Sequence, residues 1–209
     1  MHGHLLRLSA TNGTSMPLQN TREHWGSISK ALHWVVAALI LVMAWLGLTM
    51  GDLPNGPDKV STYALHKSLG ITIFALVVLR LLWRIYAGAA ATVAGTPSWQ
   101  VRIATLAHLG LYALLLAMPI SGWVLNSASG FPLQWFGLVN LPALAGSDQE
   151  LRELAGDLHE WMFWALVTLA ALHAAAAFYH HLFVGDSTLA RMLPRGWLRV
   201  GAPETRDVD

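Results

Sequence analysis

The sequence predicts an all-α fold, an integral membrane four-helix bundle with its N- and C-termini cytoplasmic. Of its 209 residues, 55% are hydrophobic and only 12% are charged, whereas a soluble domain is about 25% charged. Four apolar windows are each long enough to cross a hydrocarbon core of about 30 Å. Lysine and arginine residues gather in alternate connections between these windows, which fixes the predicted orientation.

The four windows leave no segment that could form a sizeable soluble core. They are residues 28–50, 65–86, 103–125 and 158–183. We assign residues 20–195 to a single membrane domain, residues 1–19 to a disordered N-terminal extension and residues 196–209 to a polar C-terminal tail. The extension lacks the apolar core of a signal peptide, and translation could begin at Met1 or at Met16.

The basic residues predict which ends of the helices face the cytoplasm. They precede the first window, separate the second from the third and follow the fourth: Arg7, Arg22, Lys30, Arg84, Arg102, Arg191, Arg195, Arg199 and Arg206. The positive-inside rule places these connections in the cytoplasm. The longest connection, residues 126–157, then lies outside, and its aromatic first half is predicted to lie against the outer membrane surface.

Composition also excludes several classes of site. Cysteine is absent, which excludes disulfides, cysteine-ligated iron–sulfur clusters and covalent haem attachment. The net charge is +1, and the arginines lie at helix ends rather than on one basic face, so nothing indicates a nucleic-acid partner. Lipid is the predicted surroundings of the helices.

Two histidines of the fourth window indicate a function. His159 and His173 are separated by about 21 Å along a helix and lie within about 40° of one face. An ionisable residue inside a membrane helix indicates a functional site, and this spacing fits two stacked sites for a flat ligand such as haem. Two polar residues packed between helices would give the same pattern, and this helix alone does not separate the interpretations.

The predicted topology gives each of these histidines a partner at its own depth. His66 and His159 both lie at the outer side, and His33 and His173 both lie in the cytoplasmic half. Two axial histidines saturate a haem iron and favour electron transfer over oxygen binding. We therefore expect two bis-histidine sites for non-covalently held haem, with the axial ligand pairs His33/His173 and His66/His159.

Small residues agree with this expectation, because a porphyrin must come close to the helix that supplies its ligand. Ala37, Gly70 and Ala177 each follow a histidine by one turn, whereas His159 is followed by Phe163. Small residues also mediate ordinary packing of membrane helices, so this pattern has two explanations.

Other polar residues near these planes leave alternatives open. His108 has the depth to compete with His33 as a ligand, or else to bond a haem propionate or line a quinone pocket. Arg80 lies inside the membrane, where it would pair with a propionate or extend to lipid headgroups. Lys67 would contact a propionate, attract an anion or be solvated at the interface. His180 and His181 are predicted to extend into water.

With these residues placed, the sequence resembles the bacterial cytochrome b561 family, which is related to the cytochrome b subunits of nickel–iron hydrogenases. The resemblance covers residues 20–195 and rests on the order of several motifs. They are Ala-Leu-His-Trp around His33, His66 at the predicted start of the second helix, Leu-Ala-His-Leu-Gly around His108, Leu-His-Glu-Trp around His159, the run from Leu172 to His181 and the run from Gly185 to Pro194.

The resemblance implies two b-type haems, ligated by His33, His66, His159 and His173. It also implies a location in the bacterial inner membrane and electron exchange with ubiquinone as a substrate. One branch of the family resembles a superoxide oxidase. If the chain belongs to that branch, it is a superoxide:ubiquinone oxidoreductase.

Two other functions remain as alternatives. The chain could be a haem b anchor or relay subunit that docks a separate dehydrogenase or hydrogenase as its redox partner protein. It could also be a haem-free metal or proton transporter, although such sites normally include intramembrane carboxylates, and Glu160 is the one carboxylate near a helix interior.

Overall fold

The computed structural model describes residues 18–22, 24–194 and 197–198; the predicted N-terminal extension and C-terminal tail lie almost entirely outside this part. Within it, four helices are long and apolar enough to cross a membrane. They are α1 (Ser27–Thr49), α2 (Pro57–Ala87), α3 (Ser98–Ala128) and α4 (Gln149–Tyr179). The prediction of a four-helix membrane bundle is therefore confirmed.

All four helices begin earlier than their apolar windows, and the difference is greatest for α2 and α4. α2 begins at Pro57, whose missing N–H costs nothing in the first turn of a helix. α4 begins after Asp148, whose side chain accepts a hydrogen bond of 2.9 Å from the Leu151 N–H. His66 and His159 consequently lie about two and a half turns inside their helices. The prediction that His66 begins the second helix is therefore wrong.

The four helices share a thin interior and present apolar faces outward. α3 packs most extensively against α4, and both α1 and α3 pack against α2. Val36, Ile73 and Val77 form the buried core, and Val77 is fully buried. Leu41 on α1 is 73% exposed, and every other helix carries similar exposed apolar residues, as expected for surfaces that face lipid rather than water.

One end of the bundle joins the chain segments near both termini, and we call it the inner end. Lys30 and Trp34 of α1 donate hydrogen bonds to the carbonyls of Leu193 and Met192, at 2.7 and 2.8 Å. Arg191 donates to the carbonyl of Ala91 in the connection between α2 and α3, at 2.8 Å. The start of α1, this connection and the segment after α4 therefore meet, as the predicted topology requires.

The segment after α4 begins with a short π-helical turn, His180–Val184, followed by a 3₁₀ turn, Ala190–Met192. Another 3₁₀ turn, Met50–Asp52, follows α1 at the opposite end of the bundle, which we call the outer end.

The long connection at the outer end contains two short strands that sequence analysis did not predict. β1 (Leu133–Trp135) and β2 (Val139–Leu141) pair antiparallel, with Leu133 opposite Leu141. A tight turn with positive φ at Phe136 and Gly137 joins them.

This hairpin folds onto α2. The Phe136 N–H donates to the Ser68 hydroxyl at 2.9 Å, and the Trp135 indole N–H donates to the Thr72 hydroxyl at 3.0 Å. Leu133 is buried. The aromatic part of the connection is thus held against a transmembrane helix, and its position against the outer membrane surface stays a prediction.

Candidate cofactor site

The structure brings four of the predicted site histidines together as two facing pairs. His66 of α2 faces His159 of α4 near the outer end, with ring centres 6.2 Å apart and ring planes at 67°. His33 of α1 faces His173 of α4 near the inner end, with ring centres 6.3 Å apart and planes at 76°. The pairs are those that matching depth predicts, and α4 contributes to both.

The separation within each pair fits one metal atom held between two imidazoles. With a metal–nitrogen distance of about 2 Å and about 1.1 Å from each nitrogen to its ring centre, two imidazoles on opposite sides of one metal have centres about 6.2 Å apart. Both pairs meet this value. The ring centre of His108 is 5.1 Å from that of His173, which is about 1 Å too short for an iron atom between these rings.

A cavity of about 850 Å³ surrounds the outer pair. This volume lies within the range of roughly 300–1,000 Å³ typical of cofactor and ligand pockets. Gly47, Gly70 and Gly122 line it together with His66 and His159. A Cβ atom at Gly47 would lie 3.6 Å from the His66 ring, and one at Gly122 would lie 3.1 Å from the His159 ring. Because these positions lack side chains, α1 and α3 contact the two imidazoles through backbone that takes little room in the cavity.

Charged side chains line the same cavity. Lys59, Lys67 and Arg152 supply positive charge, and Glu160 supplies a carboxylate. Lys67 is half-buried, and its ammonium group donates a hydrogen bond of 3.1 Å to the Asn126 side-chain oxygen. Lys67 thus contributes to the cavity wall instead of being simply solvated at the interface. Ammonium and guanidinium groups are suitable partners for the propionates of a haem.

The two histidines of the outer pair differ in their second ring nitrogen. The Nδ1 atom of His159 lies 2.9 Å from the Ser121 hydroxyl and 3.2 Å from the Met118 carbonyl oxygen, both on α3. The Nδ1 atom of His66 is buried and has no hydrogen-bond partner among the residues that the structure describes. Sequence analysis did not identify Ser121, because a serine on a membrane helix gives no signal of the helix it faces.

Arg80 lies inside the bundle close to the inner pair. Its Nε–H donates a hydrogen bond of 3.1 Å to the Tyr112 hydroxyl. Within the described part of the chain, its Nη1 atom is buried without a hydrogen-bond partner, and the guanidinium is close enough to interact electrostatically with His33 and His173. A buried guanidinium with an unused donor requires an acceptor, and a carboxylate such as a propionate provides the strongest one.

His180 at the inner end is not solvated as predicted. Its Nδ1 atom lies 2.6 Å from a carboxylate oxygen of Asp186, and both side chains are largely buried. Burial alone would raise the pKa of the Asp186 carboxyl, but hydrogen bonds from Thr188 and His180 outweigh that effect and lower it. The contact closes the turn after α4, since Asp186 also accepts from the Thr188 N–H at 2.8 Å.

Comparison with known proteins identifies the family. The sequence pattern of prokaryotic cytochrome b561 matches residues 24–195. Cytochrome b561 homolog 2 of Escherichia coli (strain K12) is 35% identical over 185 residues, which cover 85% of this chain and 95% of the relative. Cytochrome b561 homolog 1 of the same organism is 32% identical over 170 residues, which cover 78% and 93%.

A third relative has a more specific name. The probable superoxide oxidase CybB of Yersinia pestis is 27% identical over 173 residues, covering 83% of this chain and 97% of the relative.

Taken with the four membrane-spanning helices, these matches place the chain in the bacterial inner membrane as a multi-pass protein. The chain belongs to the prokaryotic cytochrome b561 family, whose members bind haem b, transfer electrons in the membrane and interact with quinones.

Proposed function

We propose that this protein carries two haem b groups and passes electrons between them and the ubiquinone pool. His66 and His159 would hold the iron of an outer haem, and His33 and His173 would hold that of an inner haem. The observation that supports this most strongly is the pair of nearly equal ring separations, 6.2 and 6.3 Å, at two depths of one helix.

Haem b supplies a one-electron carrier when it is bound at each site. The protein side chains provide the iron ligands, the exclusion of water and the partners of the propionates. Each histidine presents a neutral ring nitrogen, and the apolar walls of the bundle exclude water. In this proposal the Arg80 guanidinium binds a propionate of the inner haem with its unused donor, while Lys67 and Arg152 bind those of the outer haem.

We further propose superoxide as the electron donor at the outer end. Two superoxide ions would each lose one electron and become O₂, and ubiquinone would take up these two electrons and two protons to become ubiquinol. The name of the Yersinia pestis relative supports this activity. Lys59, Lys67 and Arg152 at the outer cavity would attract an anionic donor, because clustered charge of one sign raises the local concentration of the opposite ion.

Haem content tests the ligand assignment. Purified full-length protein should contain two haem b per chain in a pyridine haemochrome assay, with the low-spin spectrum of bis-histidine ligation. His159→Ala and His173→Ala should each retain one haem, while the control His181→Ala should retain two. A His173→Ala variant that keeps both haems would show that the inner assignment is wrong.

Superoxide pulses test the donor. Protein that contains both haems and a soluble ubiquinone analogue should form ubiquinol in a ratio of one to every two superoxide ions consumed. The rate should fall as salt is added, because salt screens attraction of an anion to the cavity. Quinone reduction that requires an added dehydrogenase instead would favour the anchor-subunit alternative.

A further inference from the structure

The outer histidine pair is asymmetric in a way that the ligand assignment does not require. His159 has two oxygen atoms near its Nδ1, the Ser121 hydroxyl at 2.9 Å and the Met118 carbonyl at 3.2 Å. His66 has none. Both oxygen atoms belong to α3, which supplies neither histidine of this pair.

The chemistry of these groups determines which atom carries the proton. The Ser121 hydroxyl lies 2.8 Å from the Met118 carbonyl and donates its only proton to it, so its oxygen is left to accept from the His159 Nδ1–H. The opposite tautomer would place an Nδ1 lone pair 3.2 Å from the carbonyl oxygen, which is repulsive because a carbonyl only accepts. The contacts thus favour a proton on Nδ1 and a free lone pair on Nε2.

Local features of α3 allow this approach. Pro119 interrupts the helix interior, and a proline removes one backbone hydrogen bond and bends the helix. Gly122 has no side chain where the His159 ring approaches, since a Cβ there would lie 3.1 Å from the ring Cε1 and 3.4 Å from Nδ1. The segment from Met118 to Gly122 is therefore shaped to contact one face and one nitrogen of the imidazole.

We propose that Ser121, together with the Met118 carbonyl, is the positioning element of His159 and lowers the reduction potential of the outer haem. This inference rests on the proposed function, because it needs His159 as a ligand. A hydrogen bond from Nδ1–H to an acceptor fixes the orientation of the ring and increases the basicity of the other nitrogen. A more basic ligand stabilises ferric iron more than ferrous iron, so the contact makes the outer haem a better electron donor.

A redox titration of the full-length protein with both haems bound tests the proposal. In Ser121→Ala we expect one of the two redox steps to move upward. Loss of outer-shell partners changes metal affinity or activity by about tenfold or more. For one electron, a tenfold change in the ferrous-to-ferric ratio corresponds to about 59 mV. The other step should stay in place, because the inner pair does not contact Ser121.

Two further variants separate positioning from general structure. Ser121→Thr keeps the hydroxyl and should restore the wild-type potential. Thr105→Ala removes another hydroxyl of α3, which bonds to the Val101 carbonyl of its own helix at 2.8 Å and lies outside the lining of this cavity, and it should change neither step. Loss of the outer haem in Ser121→Ala but not in Ser121→Thr would also support the positioning role.

Other outcomes would overturn the inference. They are an unchanged titration in Ser121→Ala, an equal shift of both steps, or the same shift in Ser121→Thr. A wild-type protein with fewer than two haems would instead refute the proposed function on which the inference rests, so the two failures are distinguishable.

Discussion

The close contact between α3 and the His159 ring provides a quantitative test through one added methyl group. In Gly122→Ala, the new Cβ would lie 3.1 Å from the ring Cε1 and 3.4 Å from Nδ1. The shorter distance is below ordinary carbon–carbon contact, so the imidazole must move by a few tenths of an ångström. Overpacking of this kind costs about 1–3 kcal/mol.

Part of that cost is offset in the helix itself. Replacing glycine by alanine inside a helix stabilises it by about 0.5–1 kcal/mol. A net loss of about 1 kcal/mol remains, and because the ring that moves is the proposed ligand, the loss should fall on haem binding. One kcal/mol corresponds to roughly a fivefold weaker affinity, which transfer of haem to an excess of apomyoglobin would measure.

Gly47 provides a matched control at the other ligand of the outer pair. In Gly47→Ala, the new Cβ would lie 3.6 Å from the His66 Cε1, which is ordinary van der Waals contact. The gain in helix propensity is the same as in Gly122→Ala, but no displacement is required, so haem affinity should stay at the wild-type value. If both variants release haem at the same rate, steric contact with His159 does not determine haem affinity, and the reasoning fails.

Two further predictions concern the inner end. His108→Ala should retain two haems in the haemochrome assay, because its ring centre lies only 5.1 Å from that of His173; loss of a haem would make His108 the ligand. The pKa of Asp186 is lowered below its ordinary value of 3.8, so its contacts with His180 and Thr188 stabilise the folded state at pH values above about 4. That stability should be lost as the pH falls through the lowered pKa. The melting temperature in detergent should therefore decline over this pH range in the wild type, and Asp186→Asn should lack this decline.

The pairing of the histidines could be predicted from sequence because it depends on two regular quantities. The rise per residue of a helix gives the depth of each residue along its span. The alternating direction of successive spans then gives the side of the membrane to which that residue lies closer. The partners of His159 and His173 could therefore be predicted from the sequence alone. The same argument could not decide between His33 and His108, which share a depth, because that choice depends on the rotation of α3.

The helix starts and the hairpin could not be predicted for a different reason. Residues at the starts of α2 and α4 include polar side chains such as Asp58 and Glu153, so windows based on hydropathy exclude them although the backbone is helical. The hairpin forms around Phe136 and Gly137 and is held by the Ser68 hydroxyl. Its turn lacks an Asn-Gly or Asp-Gly signal, and its partner lies more than sixty residues earlier.

In the proposed assignment, α3 supplies no axial ligand but contacts both sites. It provides Ser121 beside His159, and Tyr112, whose hydroxyl accepts a hydrogen bond from Arg80 near the inner pair. A ligand holds iron through a direct bond, so its removal abolishes a site, whereas a group that bonds to the ligand or to a neighbouring charge changes the energy of the site and leaves it intact. Substitutions on α3 should therefore change the potentials of the two haems separately, while substitutions at the histidines of α4 remove one haem each.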